Sequence, residues 1–158
     1  MNDENKVVGD IDILVEKKGV GLVDVISFRN TVLTLGKEAI AKSLAGEIGS
    51  AYDFYICKML FGTNGTDGGG TPKVIDPDRT SLFGPTLITK NVSALVDPNV
   101  RGRVIFTAVL LYADANGSAL NEFALQMYNG DLYSMATRGS VYKDSDTQLT
   151  FLWRVTQL

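Results

Sequence analysis

The chain has no histidine among its 158 residues. That absence removes Ser-His-Asp and Cys-His catalysis, histidine metal ligation and the commonest proton carrier near neutral pH. Carboxylate, lysine and tyrosine chemistry are what remain. There is one cysteine, Cys57, so no internal disulfide can form. It lies in the apolar run Phe54–Phe61, where a cysteine behaves as a small hydrophobe. Long hydrophobic runs are also missing: the longest, Val104–Leu111, already contains Thr107 and is far too short to span a bilayer. Charge of one sign is scarce. Fifteen basic and 18 acidic residues leave a net charge of −3, with no cluster of Lys and Arg to neutralise nucleic-acid phosphates. The sequence therefore predicts neither a membrane nor a nucleic-acid partner. Met1–Lys6 is polar and acidic, with no apolar segment behind it to act as a secretion signal, so the expected place of synthesis is the cytoplasm.

What is present is a hydrophobic content of 45% and a charged content of 21%, the balance of a globular protein with a core. The length suits one domain spanning residues 1–158. In Gly9–Glu16, Ile11, Ile13 and Val15 alternate with Asp10, Asp12 and Glu16, the pattern of a half-buried strand. Lys17-Lys18-Gly19 reads as a turn and Val20–Phe28 as a returning strand, which predicts an N-terminal hairpin arm over about residues 6–28. The period then changes. Ile40, Leu44 and Ile48, with Ala41 and Ala45, share one helical face, predicting a short helix over about residues 35–46. Thr34 is its expected N-cap, and Gly46 or Gly49 its expected end.

Tyr52–Phe61 is apolar on both faces and predicts a strand covered on both sides. Gly62–Pro77, rich in Gly, Thr, Asn and Asp, predicts a long surface loop. Thr86–Leu95, Arg103–Tyr112, Asn121–Tyr128, Leu132–Thr137 and Leu149–Val155 read as further strands. Asn129-Gly130 predicts a type I′ turn, with positive φ at both residues. About eight strands in hairpin order and one helix predict a mainly β chain, an antiparallel β-sandwich of jelly-roll type.

Few residues suggest chemistry. Gly62–Gly70 lacks the Gly-Lys-Ser/Thr ending of a phosphate loop and no helix follows it. Its better reading is a flexible loop that becomes ordered on a neighbouring subunit, with Asn64, Asp67, Gly68, Gly69 and Gly70 as candidate contacts. Asp76/Asp78 and Asp144/Asp146 have the spacing of hard-cation ligands, but Asp alternating with Pro or Ser is ordinary turn chemistry. Asp10, Asp12 and Glu16 fall on one side of an expected edge strand and do not face each other across a sugar cleft. Arg101, Arg103 and Lys90 suit a solvated strand end. Phe106, Phe123, Tyr133, Phe151 and Trp153 are expected in the core, whereas Tyr128 and Tyr142 lie near turns and are candidate sugar-stacking rings. No catalytic residue, metal site or cofactor is predicted.

One pattern is larger than any of these. A strand ending at Arg29-Asn30, the helix Leu35–Ala45 and a strand ending in Phe61-Gly62-Thr63 are followed by Asn116-Gly117, Asn121–Leu125 and Gly130–Tyr133. Lys143–Asp146 and Leu149–Val155 close the series. From about residue 28 onward this resembles bacteriophage and prophage virion proteins. The resemblance implies a structural, non-enzymatic role in the virion, with the major capsid protein or tail proteins as partners. A compact chain without heptads or collagen repeats suits a head-decoration (cement) protein, with self-association as a homotrimer. The alternatives are a tail, collar, baseplate or fibre-attachment protein and, from another class, a carbohydrate-binding module.

Overall fold

The computed structural model describes residues 6–47 and 54–158. Among the described residues there are ten strands and one helix. In chain order they are β1 (Val7–Lys17), β2 (Gly21–Arg29), β3 (Thr31–Val32), α1 (Thr34–Ala45), β4 (Ile56–Gly62), β5 (Ile88–Asn91), β6 (Ser93–Val96), β7 (Arg103–Leu110), β8 (Ser118–Met127), β9 (Leu132–Lys143) and β10 (Thr147–Gln157). They form a sandwich of two five-stranded antiparallel sheets, the first ordered β2-β1-β10-β7-β6 and the second β3-β9-β8-β4-β5.

Strand alternation builds the core. On β10, Leu149, Phe151, Trp153 and Val155 point inward, and Trp153 lies directly between Ile11 of β1 and Phe106 of β7. The second sheet contributes Met59, Phe61, Phe123, Leu125 and Met127. Phe61 meets Phe151 edge-on, with ring centroids 4.8 Å apart, and Phe123 lies 5.3 Å from Phe151. Aromatic pairs at such separations add to the energy of simple burial. All five aromatics expected in the core are buried.

Five expectations need correction. The N-terminal hairpin is not a projecting arm: β1 pairs with β10 along its whole length, and Ile11 and Ile13 are fully buried. For the same reason β1 is an interior strand, and β2 is the edge. The predicted strand Thr86–Leu95 is two strands in different sheets, since β5 pairs with β4 and β6 with β7. At the β8–β9 turn only Gly130 has positive φ, and the Asp131 N–H bonds the Asn129 side-chain oxygen, so the turn is not type I′. Gly130 takes the left-handed position after an ordinary turn, and the pairing slips by one residue beside it.

The helix supplies the fifth correction. It ends where expected, at Gly46 with φ 69°, but a different face is buried. Gly36 and Ala39 lie against β9, whereas Ala41 and Ala45 are exposed and Leu44 is 85% exposed. Small residues let the helix axis approach Tyr133 closely, Ile40 is partly buried against the core, and Leu44 is left facing outward. Ile48 and Gly49, and the predicted strand start at Tyr52, lie outside the described residues. Leu33, not Thr34, holds the cap position, without a side-chain bond. The Thr34 N–H donates to the Pro77 carbonyl at 2.8 Å, and its hydroxyl donates to Asp78 at 2.5 Å. The long loop after β4 thus takes over the start of the helix.

Candidate partner-contact surfaces

Residues 63–87, between β4 and β5, form a lid on the outer face of the second sheet. Leu82, with Ile75 and Phe83 beside it, packs on Leu60, Ala124, Leu132 and Met135, and Leu33 joins them. This second apolar cluster explains why β4 is apolar on both faces.

Two consecutive residues of β8 hold the lid down. Glu122 is fully buried, and its carboxylate accepts the backbone N–H groups of Asn64 (3.1 Å), Phe83 (2.7 Å) and Gly84 (3.3 Å). Asn121 accepts the Gly65 N–H at 2.7 Å. A regular strand would send neighbouring side chains to opposite faces. Here the β8–β9 register shifts between Leu120 and Glu122, and this bulge turns both side chains toward the lid. Gly65 is buried against the Asn121 carbonyl, where any side chain would collide.

The five candidate contact residues therefore separate. Asn64 belongs to the anchor, and its carbonyl also accepts the Lys73 ammonium at 2.7 Å. Asp67 shapes the tip, its side chain accepting the N–H groups of Gly69 and Thr71, both at 2.9 Å. Gly68, Gly69 and Gly70 are exposed at that tip. The loop thus has a bonded structure of its own, because Asp and Asn fold short segments through local side-chain bonds. Glu122 and Asn121 were not singled out from the sequence. Their only signal is two polar residues in succession between the apolar pairs Ala119-Leu120 and Phe123-Ala124, which breaks the expected alternation.

Among the described residues no lid covers the first sheet. Its register lines up Val25, Leu14, Thr150 and Val109 across the outer face, then Ser27, Asp12, Leu152 and Thr107, then Arg29, Asp10, Arg154 and Ile105. The three carboxylates of β1 are occupied in bonding. Arg154 bonds Asp12 at 2.7 Å and Asp10 at 3.1 Å, and Glu16 accepts from Gln148 at 3.0 Å. The Ser27 hydroxyl, with the Arg154 guanidinium, holds the Asp12 carboxyl below its ordinary range against the opposing effect of burial. Both edges of this sheet are open: among the described residues no strand pairs with the outer side of β2 or β6. Leu22 on β2 is 57% exposed and Leu95 on β6 is 60% exposed, with Val23, Val25 and Val96 also exposed. Apolar open edges of this kind are sites for pairing with another chain.

The other candidates have structural tasks. Asp76 accepts the Asp78 N–H, and Asp144 accepts the Asp146 N–H and the Thr147 hydroxyl, as turn residues do. Among the described residues no three His, Cys, Asp or Glu side chains are placed to hold a metal ion. No helix among them is long and apolar enough to cross a membrane. Lys90 pairs with Asp114 at 2.5 Å and Arg103 with Asp97 at 3.7 Å. Burial pushes the Asp114 carboxyl up, but bonds from Lys90 and the Leu111 N–H outweigh it and hold it low. Lys143 is the unforeseen member. It is 1% exposed, and its ammonium is clasped by the Asn116 side-chain oxygen (3.0 Å) and the Asp144 carbonyl (2.8 Å), joining the β7–β8 and β9–β10 turns. Burial lowers its pKa.

No family model matches this chain, and no curated protein or solved structure matches it.

Proposed function

We propose that the chain is a non-enzymatic structural protein of a bacteriophage particle. In this reading it is a head-decoration protein that bridges neighbouring major capsid subunits and self-associates as a trimer. One observation carries it: the first sheet, open on its outer face and along both edges, presents Leu22, Val23, Val25 and Leu95 to solvent. The second sheet spends a 25-residue lid on covering the corresponding surface. The resemblance of residues 28 onward to virion proteins supplies the context. Each copy would bury its open face across a joint between larger subunits. Binding only to the assembled shell raises the free energy needed to separate those subunits.

The test is quantification and imaging of the chain in purified particles. A head-decoration protein is present in numbers comparable to the major capsid protein, and its loss lowers the temperature of head rupture without changing adsorption. A few copies confined to the tail, with adsorption lost in the deletion mutant, would establish the tail reading instead. Absence from the particle would end both.

A further inference from the structure

The lid does not reach the whole outer face of the second sheet. Beyond Leu60 the strands continue to a row of three polar residues: Asn91 of β5, Lys58 of β4 and Gln126 of β8 stand directly opposite one another. Adjacent strands are about 4.8 Å apart, so the row spans roughly 10 Å with its side chains on one face. Lys58 and Leu60 are two residues apart and share that face, which places the row on the lid's side of the sheet, just past its cover. Among the described residues, neither the Lys58 ammonium nor the Asn91 amide has a hydrogen-bond or ion-pair partner. Gln126 donates its amide N–H to the Gly130 carbonyl at 2.9 Å, and that bond fixes the side chain while its oxygen can still accept.

Two aromatic rings stand beside this row. Tyr55 and Tyr128 stack with centroids 5.3 Å apart and planes 19° from parallel, and they are 46% and 60% exposed. The Tyr128 N–H donates to the Tyr55 carbonyl at 2.9 Å, so the backbone holds the pair in place. Rings and row together line a cleft of about 370 Å³.

We propose that this cleft binds a saccharide. A pyranose ring has one flat face of C–H groups, suited to an aromatic face, and a rim of hydroxyls that both donate and accept. The three side chains supply the matching set: an amide that does both, an ammonium that donates and a fixed amide oxygen that accepts. Rings alone would suit any flat apolar ligand, and polar groups alone any solvated one. Their combination selects a ligand with one face of each kind. The site is on the opposite sheet from the proposed capsid-binding face, so the two readings stand or fall separately.

The experiment is calorimetric and ligand-observed NMR titration of the full chain with a panel of neutral and uronate-containing hexasaccharides. The expected result is saturable binding by at least one member, weakened about fivefold to tenfold in Tyr128→Ala, the loss of one stacking contact. Asn91→Ala should weaken the same sugar, while Tyr142→Ala, at an exposed ring outside the cleft, should leave it unchanged. Circular dichroism and a thermal melt of each variant establish that it is folded. No binding by any panel member at millimolar sugar would overturn the proposal. So would binding that a folded Tyr128→Ala variant retains in full.

Discussion

The two sheets share one core and differ in what lies on their backs. The second sheet is buried twice, inward against the first and outward under residues 63–87. The first is buried once, and its outer face is a mixture of Val, Leu, Thr and an Arg–Asp ladder. Covering a sheet with a loop is demanding, because the backbone groups of the loop lose water and need new partners. Glu122 and Asn121 meet that demand from within the sheet. Among the described residues the first sheet carries no such device, and the apolar side chains along its edges stay exposed.

Changes inside the shared core should have the largest effects. Trp153→Ala should lower stability by about 3–5 kcal/mol in chemical denaturation, whereas Leu152→Ala, next to it on the outer face, should cost only about 1 kcal/mol. Trp153→Phe should be far milder than Ala, because the buried indole N–H has no hydrogen-bond partner to lose.

Next comes the anchor of the lid. Glu122→Ala leaves three backbone N–H groups without their acceptor and should cost about 3 kcal/mol. Its loss should also speed proteolysis within 63–87 more than anywhere else. A melt unchanged by this substitution would mean that the lid does not depend on the carboxylate.

The two apolar surfaces can be compared directly. Leu82→Ala under the lid should cost about 2 kcal/mol or more, and Leu95→Ala on the open edge about 0.5 kcal/mol or less. Equal losses would erase the distinction between the sheets.

Smaller still is an effect of pH. Asp12 has its folded pKa below its unfolded one, so its contribution to stability is fully present above the ordinary carboxylate range. That contribution disappears as pH falls through the lowered folded value. Ser27→Ala should therefore lower the denaturation midpoint at neutral pH slightly and bring it closer to the wild type in acid, below the ordinary carboxylate range. A difference that persists unchanged into acid would assign the effect to packing.

The smallest effect on folding should have the largest effect on assembly. Val25→Lys should change stability by about 0.5 kcal/mol at most, while sharply reducing incorporation into particles in a reconstitution assay. Normal incorporation would move the partner surface away from the first sheet.

The sandwich was legible because its signals are local. Leu149, Phe151, Trp153 and Val155 alternate visibly, and the turns at Lys17–Gly19 and Asn129–Gly130 mark where the chain reverses. The helix was legible in extent but not in orientation, since of the expected stripe Ile40 is only partly buried against the core and Leu44 faces outward. The partner of a helix decides which face is buried, and here β9 accepts the small residues at Gly36 and Ala39. The lid was least legible. Its composition reads as a free loop, and its order comes from Glu122, 58 residues after Asn64 and 39 after Phe83. Among the proposed contacts, Tyr128 was visible as an aromatic near a turn. Its company was not, because Asn91, Lys58 and Gln126 meet only once three strands have paired.

The carboxylate of Glu122 also sets an order of events in folding. It grips the chain at Asn64 and again at Phe83, closing a ring of about twenty residues without a covalent link. The ring cannot close until β4 and β8 have paired and brought the carboxylate beneath both ends. Lid formation should therefore be a late step, reversible while the sandwich stays intact. In hydrogen exchange the amides of Asn64, Phe83 and Gly84 should open together, at a lower free energy than those of β10.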